Sequence, residues 1–195
     1  MAGAIAAVAW SSAAIGAEAI GSITRVAGAA VGVVDGARQT LAAGNPVYLG
    51  EAIATGADGR LAVTLADGTA LTVGENANLT VDTFVYNPAG ANSLHAAVAG
   101  AFRFVFGHLN EGAVRTASVT TPAATIGVRG TDFWGGPIDG GNGFLLIDGA
   151  IDVTVNGTSV AIDNAGTGVT FSSGAAQPGM VSVWPTRRWR GRGRR

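Results

Sequence analysis

Asp-Gly recurs at residues 35, 58, 67, 139 and 148 and Asn-Gly at 156, with short alternating segments between them. These dipeptides readily take the left-handed angles of tight hairpins, so a chain punctuated this way is built from short antiparallel strands. The pairs at 58/67 and 148/156 lie 9 and 8 residues apart, which fits one short strand between successive turns. The apolar residues agree. Leu61-Ala62-Val63-Thr64-Leu65, Leu71-Thr72-Val73, Leu79-Thr80-Val81 and Ile151-Asp152-Val153-Thr154-Val155 all alternate, as half-buried strands do. Phe102, Phe104 and Phe106 fall on one strand face and Arg103 on the other. No stretch after residue 25 shows a 3.6-residue period with capping signals. The expected fold class is all-β, an antiparallel β-sandwich or solenoid-like β domain with tight Asp-Gly and Asn-Gly turns, plus a short N-terminal helix.

At 195 residues the chain is about one domain long, enough to bury a genuine core. With 48% hydrophobic and only 13% charged residues it is too apolar to be disordered overall. It has no cysteine, which excludes disulfides and thiolate metal sites. All twelve basic residues are arginine. A phosphate loop ending in Gly-Lys-Ser/Thr and a Schiff-base lysine are therefore excluded.

Three regions follow. Residues 1–21 form a signal-like apolar segment, uncharged from Ala2 to Ala17. That is short for a membrane span of about 20 residues and closer to the core of an export signal. Ala17-Glu18-Ala19 suits a small-x-small cleavage site, although no basic residues precede the segment; a short alanine-rich helix of the mature protein is the other reading. Residues 22–175 form the β domain. Residues 176–195 are a linker and an Arg/Trp-rich tail, with six arginines in the last nine positions. The remaining 6 arginines face 13 acids, a net of −7, so an acidic body carries a basic tail.

Several blocks stand in a telling order. They run Ile53-Ala-Thr55-Gly56, Leu65-Ala-Asp67-Gly68-Thr69, Asn78-Leu79-Thr80-Val81, Gly100-Ala-Phe102-Arg-Phe104 and Thr121-Pro122-Ala-Ala-Thr-Ile126-Gly-Val128-Arg129-Gly130-Thr131-Asp132-Phe133, then Asp148-Gly149. Over roughly residues 25–165 the chain resembles the FecR domain, the periplasmic part of iron-citrate-type sigma-factor regulators, which also occurs in stand-alone exported proteins. The resemblance implies a β domain in the periplasm or at the cell surface of a bacterium, passing a signal by protein contact. The helical segment that binds a sigma factor and the following membrane span are not recognisable in this sequence.

Catalytic chemistry finds little support. His95 and His108 lie 13 positions apart with only Glu111 nearby, unlike the close spacing of metal ligands. No Gly-x-Ser-x-Gly elbow is present, and the aspartates are better read as turn residues than as paired catalytic carboxylates or calcium ligands. The expectation is a non-enzyme with no cofactor and no metal. Arg129 stands between glycines 127 and 130, positioned for a two-point bond to Asp132 or another carboxylate. Arg129, Thr131, Asp132 and Phe133 are the candidate partner-binding residues, the other reading being that they pin a turn of the fold.

Trp184, Arg187, Arg188, Trp189, Arg190, Arg192, Arg194 and Arg195 mix cations with aromatics. That chemistry suits an anionic lipid or glycan surface, and less well nucleic acid; a solubilising tail is the bland alternative. The reading reached is an envelope module that binds a protein partner, in signalling or surface assembly, through exposed strand edges. The alternatives are a structural, adhesin or filament subunit that self-associates, and a binder of nucleic acid or another anionic polymer through the tail.

Overall fold

A computed structural model describes residues 17–107 and 115–184. Sixteen strands follow one another within them: β1 (Ala19–Ala27), β2 (Ala30–Val34), β3 (Ala37–Thr40), β4 (Pro46–Tyr48), β5 (Ala52–Thr55), β6 (Arg60–Leu65), β7 (Ala70–Val73), β8 (Asn78–Val85), β9 (Asn92–Ala99), β10 (Phe102–Val105), β11 (Arg115–Thr120), β12 (Thr125–Ile138), β13 (Gly141–Val155), β14 (Thr158–Ile162), β15 (Thr167–Ser172) and β16 (Ser182–Val183). The all-β expectation holds, and there is no helix among the described residues. The expected N-terminal helix falls on residues outside that range. Pairing begins at Ala19, inside the apolar segment 1–21, and Ile20 and Ile23 are each only 1% exposed.

The alternating segments become strands for the reason their pattern gives: one face is apolar and must be covered. In β6, Leu61, Val63 and Leu65 are buried, and in β10 Phe102 and Phe104 are buried while Arg103 is exposed. All the strands join one sheet in the order β3-β2-β5-β8-β9-β11-β12-β10-β7-β6-β1-β4, with β13 bridging β12, β14 and β15 and β16 added to β15. The pairings are antiparallel except for β9 with β11, which run parallel. A parallel pair needs a long crossover; here the crossover contains β10, so sequence-adjacent hairpin logic does not reveal it.

The sheet curls because β12 changes partners halfway. Thr125–Val128 pair with β11, whereas Asp132–Gly135 pair with β10. β13 follows β12 along nearly its whole length, with register shifts between Arg129 and Phe133. One hydrophobic cluster fills the curl, taking Ile23, Leu71 and Phe104 from one half and Leu79, Val119 and Val153 from the other.

Three of the turn dipeptides are two-residue hairpins with both φ angles positive: Asp35-Gly36, Asp139-Gly140 and Asn156-Gly157. Asp148-Gly149 departs from expectation. It lies inside β13 rather than between strands, at the point where β13 follows the bend of β12. The positive φ of 85° at Gly149 serves that bend, since a kink and a tight turn make the same demand on the backbone.

Candidate functional site

The bend in β12 is the motif Val128-Arg129-Gly130-Thr131-Asp132-Phe133, and each residue there has a distinct place. Gly130 has φ +55°, and a side chain on Gly149 would run into the Gly130 carbonyl. The two backbones can touch only because the second position is glycine. Thr131 is 3% exposed, and its hydroxyl lies 2.8 Å from the Arg129 carbonyl and 2.7 Å from that of Ala150. It is also 3.3 Å from the Ala150 N–H. One small side chain thus satisfies main-chain groups that the bend takes out of the ladder.

Phe133 turns inward and is fully buried, edge-on to Phe102 at 5.6 Å and stacked on Phe104 at 5.5 Å between ring centres. Of the four motif residues named from sequence, Thr131 and Phe133 therefore hold the frame. Arg129 and Asp132 point outward, and they do not pair with each other. Arg129 reaches Asp152 on β13, with Nη2 3.0 Å from Oδ2 and 3.2 Å from Oδ1. Asp132 instead accepts two bonds from Arg103 on β10.

The hydrogen bond to Asp132 and its negative charge raise the Arg103 pKa above the usual arginine value, against the opposing effect of partial burial. The Arg129–Asp152 pair is the more open, its side chains 62% and 39% exposed. Each pair lies on one side of the bend, so the bend carries two oriented arginine–carboxylate pairs on its outer face. Arg103 and Asp152 escaped the site reading, although both occupy polar slots of alternating strands. The register that brings them to the bend is a long-range property.

A further cluster lies on β8, β9 and β11. His95 Nδ1 is 2.8 Å from Ser118 Oγ, and its Nε2 is 3.9 Å from Asp82. The residue types are those of a hydrolytic triad, but Ser118 sits mid-strand opposite His95 and Gly127. Backbone N–H groups there belong to the sheet ladder, so they are not gathered to stabilise an oxyanion. Among the described residues no group of three or more His, Asp or Glu could hold a metal ion.

Trp184 is 4% exposed and packs on Trp134 at 6.0 Å between ring centres. The indole expected to meet an anionic surface is therefore covered by the domain, because Trp184, directly after β16, lies against Trp134 of β12. Arg187, Arg188, Trp189, Arg190, Arg192, Arg194 and Arg195 lie outside the described residues, as do His108 and Glu111.

A family model described as FecR protein matches residues 51–152, the stretch from just before β5 to Asp152 in β13, which takes in both arginine–carboxylate pairs. A crystal structure of a candidate anti-sigma factor from Parabacteroides distasonis ATCC 8503, at 1.65 Å resolution, shares the fold with a TM-score of 0.57 and 15% identity. A second structure of that description, at 2.50 Å, gives a TM-score of 0.56. In both comparisons the match covers 70% of this chain and 61% of the other, so it spans about three fifths of those proteins. No curated protein matches the sequence.

Proposed function

The chain belongs to the FecR protein family, and on that premise we propose that it is a non-catalytic module of the bacterial envelope that binds a protein partner in signalling. The partner meets the outer face of the β12–β13 bend. One observation carries this reading: two arginine–carboxylate pairs lie on the outer face of the bend, over a frame held by Thr131, Phe133 and Gly149. Charged groups held in place choose partners and orientations by complementarity. The likeness to a candidate anti-sigma factor supports a regulatory role.

Charge reversal at Arg129 tests the proposal. A photo-crosslinking residue placed at Asp148, exposed beside the bend, in cells should give discrete adducts with a partner. Arg129→Glu should abolish them while the purified protein melts within a few degrees of wild type. Unchanged adducts in a folded Arg129→Glu protein would show that the bend is not the contact surface. Export is tested separately, by fractionation and mass spectrometry of the N-terminus. A periplasmic product that keeps Glu18 retains the bond from the Leu49 N–H to the Glu18 carbonyl, whereas an intact cytoplasmic chain would refute the envelope location.

A further inference from the structure

Among the described residues four strands pair on one side only: β3, β4, β14 and β16. Three carry features that discourage a further strand from adding: Arg38 in β3, Pro46 at the head of β4, and the two-residue length of β16. β14 has none of these. Thr158-Ser159-Val160-Ala161-Ile162 is uncharged, free of proline, and paired to β13 without a register shift. Thr158, Ser159 and Ala161 are exposed and Val160 is half-buried.

The hairpin turn sets which groups β14 offers. Val155 and Thr158 flank a two-residue turn, so they exchange both ladder bonds, and alternate pairs follow suit. Val160 therefore directs its main-chain groups at Val153, whereas the N–H and C=O groups of Ser159 and Ala161 point away from β13, along an open border.

That border is complementary to itself. When two copies of β14 meet antiparallel about a two-fold axis at Val160, Ser159 of each faces Ala161 of the other, and each such pair exchanges both ladder bonds. Thr158 of each copy then faces Ile162 of the other, so the whole strand finds a partner. An axis at Ser159 would set Ala161 opposite Gly157, in the turn, and one at Ala161 would set Ser159 opposite Asp163, beyond the strand. Only the central axis keeps every outward group within the two strands.

Side chains and charge agree with that axis. Val160 packs against the core beside Val153, and the axis sets it against Val160 of the second copy, which extends the apolar face of the sheet. Asp163, the acid next to the strand, falls opposite Gly157 rather than opposite itself. Asp152, across from Ala161 on the outer face, is already paired with Arg129. The two copies of Asp152 stand three strand spacings apart, about 14 Å, beyond the screening length of about 8 Å at physiological salt. The contact lies in the plane of the sheet, so it leaves the outer face of the bend open.

We infer that β14 is a self-association border, to which a second copy of this chain adds antiparallel about a two-fold axis at Val160. The chain has no cysteine, so one substitution supplies its only thiol. On the axis, Val160 and its mate form a pair without ladder bonds, their Cα atoms about 4.5 Å apart and within reach of a disulfide. Ser159 meets its own mate only diagonally, about 7–8 Å away and out of reach. Under mild oxidation, full-length Val160→Cys should therefore link into dimers at least about tenfold faster than Ser159→Cys, although position 159 is the more exposed. Equal rates, or the reverse order that random encounters would give, would overturn the inference.

Amide hydrogen exchange in the unmodified chain gives a second reading. Ser159 and Ala161 should exchange at least about threefold more slowly at millimolar than at micromolar concentration, while Val153, inside the sheet, stays unchanged. Exchange independent of concentration would overturn the inference in either form: fast throughout means an open border, and slow throughout means one closed within a single chain.

Discussion

Arg103 and Asp132 clasp each other across the outer face of the β10–β12 pair, with Nε 2.9 Å from Oδ1 and Nη2 bonded to Oδ2. Directly beneath, Phe104 and Phe133 stack on the inner face of the same two strands. The strand exchange that turns one half of the sheet into the other is thus secured on both sides.

A double-mutant cycle of Arg103→Ala and Asp132→Ala, read by urea unfolding, should give a coupling of about 1 kcal/mol. A two-point geometry places the pair at the upper end of surface ion pairs, while solvent around the half-exposed arginine limits it. The Arg103 pKa is raised in the folded state. Its contribution is therefore complete below the unfolded arginine value and is lost only as pH rises through the folded one. On the arginine side, coupling should be the same at about pH 7 and about pH 10.

Thr131→Val should cost about 1–3 kcal/mol in chemical denaturation, because it keeps the shape and strips a buried hydroxyl from the Arg129 and Ala150 carbonyls. Thr131→Ser should recover most of that. Equal losses in the two variants would mean that the methyl group, not the hydroxyl, matters at the bend.

Two glycines at the bend should respond differently. Gly149→Ala places a methyl group against the Gly130 carbonyl at a φ of +85° and should destabilise by about 2 kcal/mol or more. Gly130 has open space around it at φ +55°, so Gly130→Asn, which tolerates left-handed angles, should cost less than about 1 kcal/mol. Thermal melts of the two variants give the comparison.

Trp184→Ala should lower stability by about 3 kcal/mol, since it uncovers Trp134 and leaves a hole beside Gly143 and Gly168. Trp184→Phe should lose less. A loss near zero would show that the end of β16 contributes nothing to the fold.

Strands were legible wherever the period of two was clean, as in Leu61–Leu65, Phe102–Val105 and Ile151–Val155. Asp35-Gly36, Asp139-Gly140 and Asn156-Gly157 were legible as hairpins because their backbone demand is local. Asp148-Gly149 was not, since nothing local separates a turn from a kink that serves a neighbouring strand. The parallel β9–β11 pair and the partners of Arg129 and Asp132 depend on which strands meet, and alternation is silent on that. Trp184 misled for a related reason. An indole beside arginines reads as a surface anchor, yet the hydrophobic effect takes it onto Trp134 once β16 brings it there.

β12 and β13 each run through both halves of the sheet, and this has a kinetic consequence. Neither half is a complete structure without the other, so melting should be a single all-or-none step. Assembly must first gather distant segments: β1 waits for β6, β7 for β10, and β9 for β11 in parallel. Chains rich in such long-range closures fold on the millisecond-to-second scale. Until then their half-formed edges stay open to neighbours, which makes the interval before β12 and β13 come together the time when this protein is most exposed to aggregation.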